Sequence, residues 1–148
     1  MNLRLPTLLL ALSALSGQTV PDPWTTADLI QPAQLAARLQ GQPAAKPPIF
    51  YVGFGVLYRA KHIPGAEFAG PGNKPEGLQA LREAALKHPR TEEILLYCGC
   101  CPWDHCPNLR PAFQTLHDLG FKRVRVLALP TGFSKDWVDK GYPFETSF

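Results

Sequence analysis

Short apolar runs alternate with amphipathic segments along most of the chain. Residues 49–54 form an aromatic and β-branched run between Pro48 and Gly55. That run is too short for a helix and predicts a buried strand. A second strand is predicted over Glu93–Tyr97, where Ile94, Leu95 and Leu96 follow one another unbroken, as in a parallel strand buried on both faces. A third is expected over 124–129. Between these runs the spacing turns helical: Leu35, Ala36 and Leu39 over 31–40, then Leu78, Leu81, Ala85 and Leu86 over 76–87, closed by Pro89. Leu109, Ala112, Phe113, Leu116 and Leu119 mark one face of a further helix that Gly120 terminates. Asn108 is its expected N-cap, because Pro111 then falls in the first turn, where no amide hydrogen is needed. A short helix over 134–140 completes the pattern, with loops over 41–48 and 62–75. Alternating strands and helices without an internal repeat predict one α/β domain, a central parallel sheet flanked by helices.

Composition narrows the reading. At 148 residues, 45% hydrophobic and 10% aromatic, the chain can bury one core without needing disulfides. Fifteen Lys and Arg against 12 Asp and Glu leave a net charge of +3, scattered rather than gathered, so nucleic acid is not an expected partner. The first residues read differently from the rest. A basic start at Arg4, an apolar run to Leu12 and small residues Ser13, Ala14, Ser16 and Gly17 have the layout of a secretory signal peptide over 1–17. Ala14 and Ser16 suit cleavage before Gly17, and cleavage one residue later fits equally. An extended lead-in over 18–27 and a folded domain over 28–148 follow. The mature chain is then secreted or periplasmic, with no membrane anchor, in a setting where thiols oxidise.

All four cysteines lie in nine residues, at Cys98, Cys100, Cys101 and Cys106. Packing alone gives no reason to concentrate them. Cys98 follows the central strand directly, where parallel α/β sheets gather their chemistry, and the next helix aims free amides and its positive end at that loop. Such a field favours the thiolate, which makes Cys98 the candidate nucleophile. Gly99 permits close backbone approach, while Pro102 and Pro107 stiffen the segment. His105 and Arg110 are the nearest candidate cations.

Several short motifs share one order and spacing with the rhodanese family. His62, Ile63, Pro64, Gly65 and Ala66 match its histidine-isoleucine-proline-glycine-alanine signature, and Ile94 to Cys98 its strand running into the active cysteine. Gly120 and Phe121 match the close of the following helix, and Trp137, Gly141, Tyr142 and Pro143 its C-terminal ending. Over roughly 28–145 the chain therefore resembles a rhodanese-like domain. The resemblance implies a sulfurtransferase holding sulfane sulfur as a persulfide on Cys98, a small sulfur donor and a thiol acceptor as partners, and no cofactor. Two departures stand out. Tyr51, Val52, Gly53 and Phe54 replace the family's aspartate-valine-arginine strand end. The loop is also about five residues longer than the family's, and Asn108 occupies the place of its loop arginine. The sulfur cradle must then be built from Gly99, Cys100, Cys101, Cys106, Asn108 and Arg110.

Other chemistries remain open to the same residues. Cys100, Cys101 or Cys106 can resolve a persulfide on Cys98 as a disulfide. Cys98, Cys100, Cys101, His105 and Cys106 supply soft ligands for zinc or cuprous copper. A non-catalytic module using the loop as a disulfide or metal clip is the rival from another class. The remaining marked residues read as structural: His62 in a tight turn, Trp137 packing the last helix, and Phe50, Phe113 and Phe121 in the core. Trp103 either guides a partner from the loop tip or anchors the insertion.

Overall fold

A computed structural model describes residues 20–41 and 46–147; residues 1–17, expected from the sequence to be a signal peptide, lie outside the described residues. Five strands form one all-parallel sheet in the order β1-β5-β4-β2-β3. They are β1 Leu29–Ile30, β2 Ile49–Tyr51, β3 Glu67–Phe68, β4 Glu93–Tyr97 and β5 Arg123–Leu127. The helices are α1 Pro32–Gln40, α2 Gly55–Ala60, α3 Pro75–Ala85 and α4 Leu109–Asp118, with a π-helical turn at Ser134–Val138. No helix of the described residues is long and apolar enough to cross a membrane.

β4 is central, and its alternation divides the core. Ile94 and Leu96 face the layer of α3 and α4, where they meet Leu81, Ala85, Ala112, Phe113 and Leu116. Leu95 and Tyr97 face the layer of α1 and the C-terminal turn, with Leu35, Leu39 and Trp137. The same period-two rule carries Cys98 onto the α4 side, among the residues of the first layer. Trp137 is fully buried and its indole donates to the Pro143 carbonyl at 2.7 Å, as the packing role expected for it requires. Phe50, Phe113 and Phe121 are also buried.

The differences from expectation have local causes. The run at 49–54 stops as a strand at Tyr51, because Val52 to Phe54 turns the chain into α2. α2 buries none of its residues, so it shows no apolar stripe, and the two-residue strands β1 and β3 are too short to display a period. α3 closes at Ala85 rather than 87, and β5 spans Arg123–Leu127 rather than 124–129. The lead-in does more than extend the chain: Trp24 is buried and packs edge-on to Phe113 at 5.6 Å.

His62 is buried in the turn expected for it, but its ring bonds beyond its own backbone. Nδ1 lies 2.7 Å from the Tyr58 carbonyl and Nε2 lies 3.2 Å from Glu145 Oε1. It ties α2 to the C-terminal segment, away from the four cysteines.

Three backbones meet outside the carboxyl ends of β2 and β4. The Gly72 amide donates to the Val52 carbonyl at 2.8 Å, and a Cβ on Gly72 would lie 2.2 Å from the Asn108 carbonyl oxygen. Neither neighbour is a flexible side chain, so the backbones must separate to admit a methyl group. Gly72→Ala is therefore expected to destabilise the fold by about 1–3 kcal/mol. A lower denaturation midpoint at unchanged m-value checks this; an unchanged midpoint would show that the contact is not tight.

Candidate functional site

Cys98 leaves β4 with its side chain turned toward the start of α4, and the chain returns to that point at Cys106. The return is made by a 3-10 turn at Trp103–His105. The Trp103 amide donates to the Leu129 carbonyl at 3.1 Å, and its half-buried ring stacks at a tilt on Trp24, 6.0 Å between centroids. Trp103 thus anchors the insertion, the second of the two roles open to it.

The result is a cluster of sulfur. Cys98 Sγ lies 3.2 Å from Cys100 Sγ, which lies 3.1 Å from Cys101 Sγ, and all four sulfurs fall within 4.8 Å of one another. Cys98 and Cys106 are buried, Cys101 is half-buried and Cys100 is exposed. All four are free thiols.

Such a cluster favours one anion rather than four. Hydrogen bonds from Cys106 first, then from Cys98, hold Cys100 well below the ordinary thiol range. The same contact works in reverse on its neighbours. The bond to Cys100 and then burial push Cys98 up to about 12, although Cys106 and the Cys100 amide oppose the shift. Cys106 rises through its bonds to Cys100 and Cys98, and Cys101 rises through burial and then its bond to Cys100. Exposure to water and the bonds from its neighbours favour a first thiolate at Cys100 over the buried Cys98. Strand-end position alone says nothing about which of several adjacent thiols is desolvated.

Asn108 stands at the N-cap position of α4 but makes no capping bond, and its backbone is already helical. Its fully buried side chain is used elsewhere. Oδ1 accepts from the Asn73 amide at 3.1 Å, and Nδ2 donates to Cys98 Sγ at 3.6 Å. The helix start therefore serves Cys98 through a side chain.

Arg110 and His105 take no part in the cluster. Arg110 pairs with Asp22 of the lead-in and donates to the Asp104 carbonyl at 3.1 Å. The His105 side chain is 79% exposed and contacts Asp104 at 2.9 Å. Charge demand explains both: each cation has a carboxylate partner close in space, so neither turns toward the sulfurs.

Beside the loop lies a cleft of about 210 Å³, walled by Tyr51, Leu57, Lys61, Gly99, Phe133 and Ser134. Its floor includes Gly99, the residue between Cys98 and Cys100. The Gly99 carbonyl accepts from the Phe133 amide at 3.3 Å, and a Cβ there would press within 3.2 to 3.3 Å of Phe133 and Tyr51. Tyr51 was visible in the sequence only as a departure from a motif. Among the described residues its buried hydroxyl has no hydrogen-bond partner. A Cβ placed on Gly53 would lie 2.8 Å from that hydroxyl and 3.0 Å from Cys98 Sγ, so both atoms border one small space kept open by a glycine. Burial, then the charges of Cys98 and Cys100, push the Tyr51 phenol up, so it stays a donor.

No family model matches the chain, and no curated protein does. Solved structures do. The crystal structure of the Alr3790 protein from Anabaena sp. aligns with a TM-score of 0.58 at 21% identity, over 80% of this chain and 93% of that one. The BH2092 protein from Bacillus halodurans aligns with a TM-score of 0.60 at 23% identity, over 80% of this chain and 76% of that one. A solution structure described as the rhodanese-like domain of Alr3790 aligns with a TM-score of 0.58 at 23% identity, over 80% and 79%. The larger protein EanB aligns with a TM-score of 0.55 at 21% identity, over 79% of this chain and 27% of that one.

Exposure orders the four thiols. In folded, reduced protein near neutral pH, iodoacetamide is expected to consume Cys100 first and to reach Cys98 and Cys106 only on unfolding. Peptide mapping of the labelled sites reads the order, and early labelling of Cys98 would contradict it.

Proposed function

We propose that this chain, which has the rhodanese-like fold, carries sulfane sulfur as a persulfide in its four-cysteine loop, with Cys100 as the first acceptor. The observation that carries the reading is the placement of Cys100: an exposed sulfur at the centre of a thiol cluster, at the carboxyl edge of a parallel sheet, beside a small cleft. Cys98, expected from the sequence to be the acceptor, is 2% exposed and sits behind it.

The chemistry follows in two displacements. The Cys100 thiolate attacks the outer sulfur of a donor such as thiosulfate. The donor's sulfur–sulfur bond breaks, sulfite leaves with the electron pair, and the sulfane sulfur stays on Cys100. An acceptor thiolate then attacks that terminal sulfur, and Cys100 departs as thiolate. Neighbouring S–H groups donate to the charge at each stage. Cleft size supports a small donor, since about 210 Å³ lies below the volumes that take drug-sized ligands. Lys61 at the wall offers an anionic donor a positive charge. The signal-peptide pattern over 1–17 supports action outside the cytoplasm.

A second course is favoured by one distance. With 3.2 Å between Cys98 and Cys100, the Cys98 thiol can attack the inner sulfur of the Cys100 persulfide, giving a Cys98–Cys100 disulfide and hydrogen sulfide. Transfer then depends on an acceptor arriving before Cys98 reacts.

Treatment of reduced, chelator-stripped protein with thiosulfate or a thiol persulfide is expected to add about 32 Da, one sulfur atom, on the Cys100 peptide. Cys100→Ser is expected to abolish the addition. Cys98→Ser is expected to keep it and to prolong its life by removing the resolving thiol. Addition on Cys98 in the Cys100→Ser protein would move the acceptor back to the strand end, and no addition in any form would contradict sulfur carriage.

A further inference from the structure

We propose that Cys98, Cys100, Cys101 and Cys106 together form a tetrathiolate site for one zinc ion, a function distinct from sulfur carriage and served by the same sulfurs. The first support is geometric. A zinc–sulfur bond of about 2.3 Å in a tetrahedron sets sulfur–sulfur edges of about 3.8 Å. Two edges here are 3.2 and 3.1 Å and none exceeds 4.8 Å, so the observed cluster brackets the required size. Placing an ion asks for shifts of an ångström or less.

The second support is how the fourth ligand is held. Cys106 would not meet Cys98 without the arc between them. That arc is fixed by contacts that owe nothing to a metal: Trp103 on Trp24, its amide on the Leu129 carbonyl, and Pro102 and Pro107 at either end. The site is thus assembled in advance on the framework of the fold.

The third support is an N–H group turned on the cluster: Cys98 accepts from the buried Asn108 side-chain amide at 3.6 Å. A tetrathiolate around a divalent ion carries two negative charges in excess, and N–H donors to sulfur are what spread that charge. The donor set also narrows the ion. Four thiolates without oxygen or imidazole exclude magnesium and calcium and suit a soft or borderline ion, of which zinc takes a tetrahedral site without redox chemistry. His105, one of the soft ligands the sequence supplies, is not in the group.

Zinc and sulfane sulfur use the same lone pairs, so a loop holding the metal does not take up sulfur. The proposal does not rest on sulfur carriage, and the two are separable by experiment. Reduced, chelator-stripped full-length protein, never exposed to a sulfur donor, is titrated with cobalt(II) as a spectroscopic stand-in and then with zinc. The expected result is one cobalt per chain, with the intense ligand-field absorption of a tetrahedral thiolate site and a sulfur-to-cobalt charge-transfer band, displaced by one equivalent of zinc. Cys101→Ser is expected to lower the charge-transfer intensity by about a quarter, one ligand of four. Asn108→Ala is expected to weaken zinc binding by roughly 10–100-fold while keeping the stoichiometry. Should Cys106→Ser fail to fold, the half-buried Cys101 and exposed Cys100 variants carry the test. Weak octahedral-type absorption, substoichiometric binding, or a spectrum unchanged by Cys101→Ser would overturn the proposal. Zinc binding without persulfide formation would sink only the preceding reading, and persulfide formation without zinc binding only this one.

Discussion

The buried side chain of Asn108 joins the three segments on which the site is built. One end accepts the amide of Asn73, in the loop that follows β3; the other donates to the sulfur at the end of β4; its own backbone begins α4. An amide stripped of water and left without partners costs about 1–3 kcal/mol, so these bonds are not optional. They fix how near the loop after β3 comes to the cysteines, and Gly72 supplies the room for that approach. Were Asn108 a normal helix cap, its oxygen would be spent on α4 and the Cys98 sulfur would lose its only side-chain amide donor among the described residues.

The cluster changes what position alone implies. A single thiol at a helix start gains from nearby amides and tends to ionise. Four thiols in contact behave as one acid, because each remaining S–H lowers the energy of the first thiolate and raises the cost of the second. The charge settles on the sulfur that accepts most and is least desolvated. Cys100 is exposed and touches the sulfurs of both Cys98 and Cys101, whereas Cys98 is buried. The same reasoning links sulfur carriage and metal binding: a lone thiolate among protonated neighbours suits nucleophilic attack, whereas a divalent cation stabilises all four as thiolates and removes them from that chemistry.

Much of the architecture was legible in the chain. The run from Ile94 to Leu96 identified the central strand because a strand buried on both faces needs no polar residue, and the stripe from Leu109 to Leu116 identified α4. The resemblance of His62 to Ala66 and of the C-terminal residues to one family agreed with the fold found. What escaped was whatever depends on contacts distant in sequence. Arg110 looked like a cation for the loop, yet Asp22 claims it from the lead-in. Asn108 looked like a cap, yet Asn73 and Cys98 hold its side chain. Tyr51 gave no sign that its hydroxyl ends beside the sulfurs, since only the fold brings β2 next to β4. Which of four adjacent cysteines is exposed is a matter of a few ångströms, and hydrophobic periodicity contains no such information.

The central claim is that four sulfurs share one negative charge and that Cys100 holds it. Cysteine labelled with carbon-13 at the β position reports ionisation of each thiol separately by NMR. In reduced, metal-free protein the expected result is one β-carbon already in its thiolate state at mildly acidic pH, its signal absent from Cys100→Ser, with the other three still protonated well above the ordinary thiol range. Four independent titrations near that range, or a lowest one belonging to Cys98, would contradict the account.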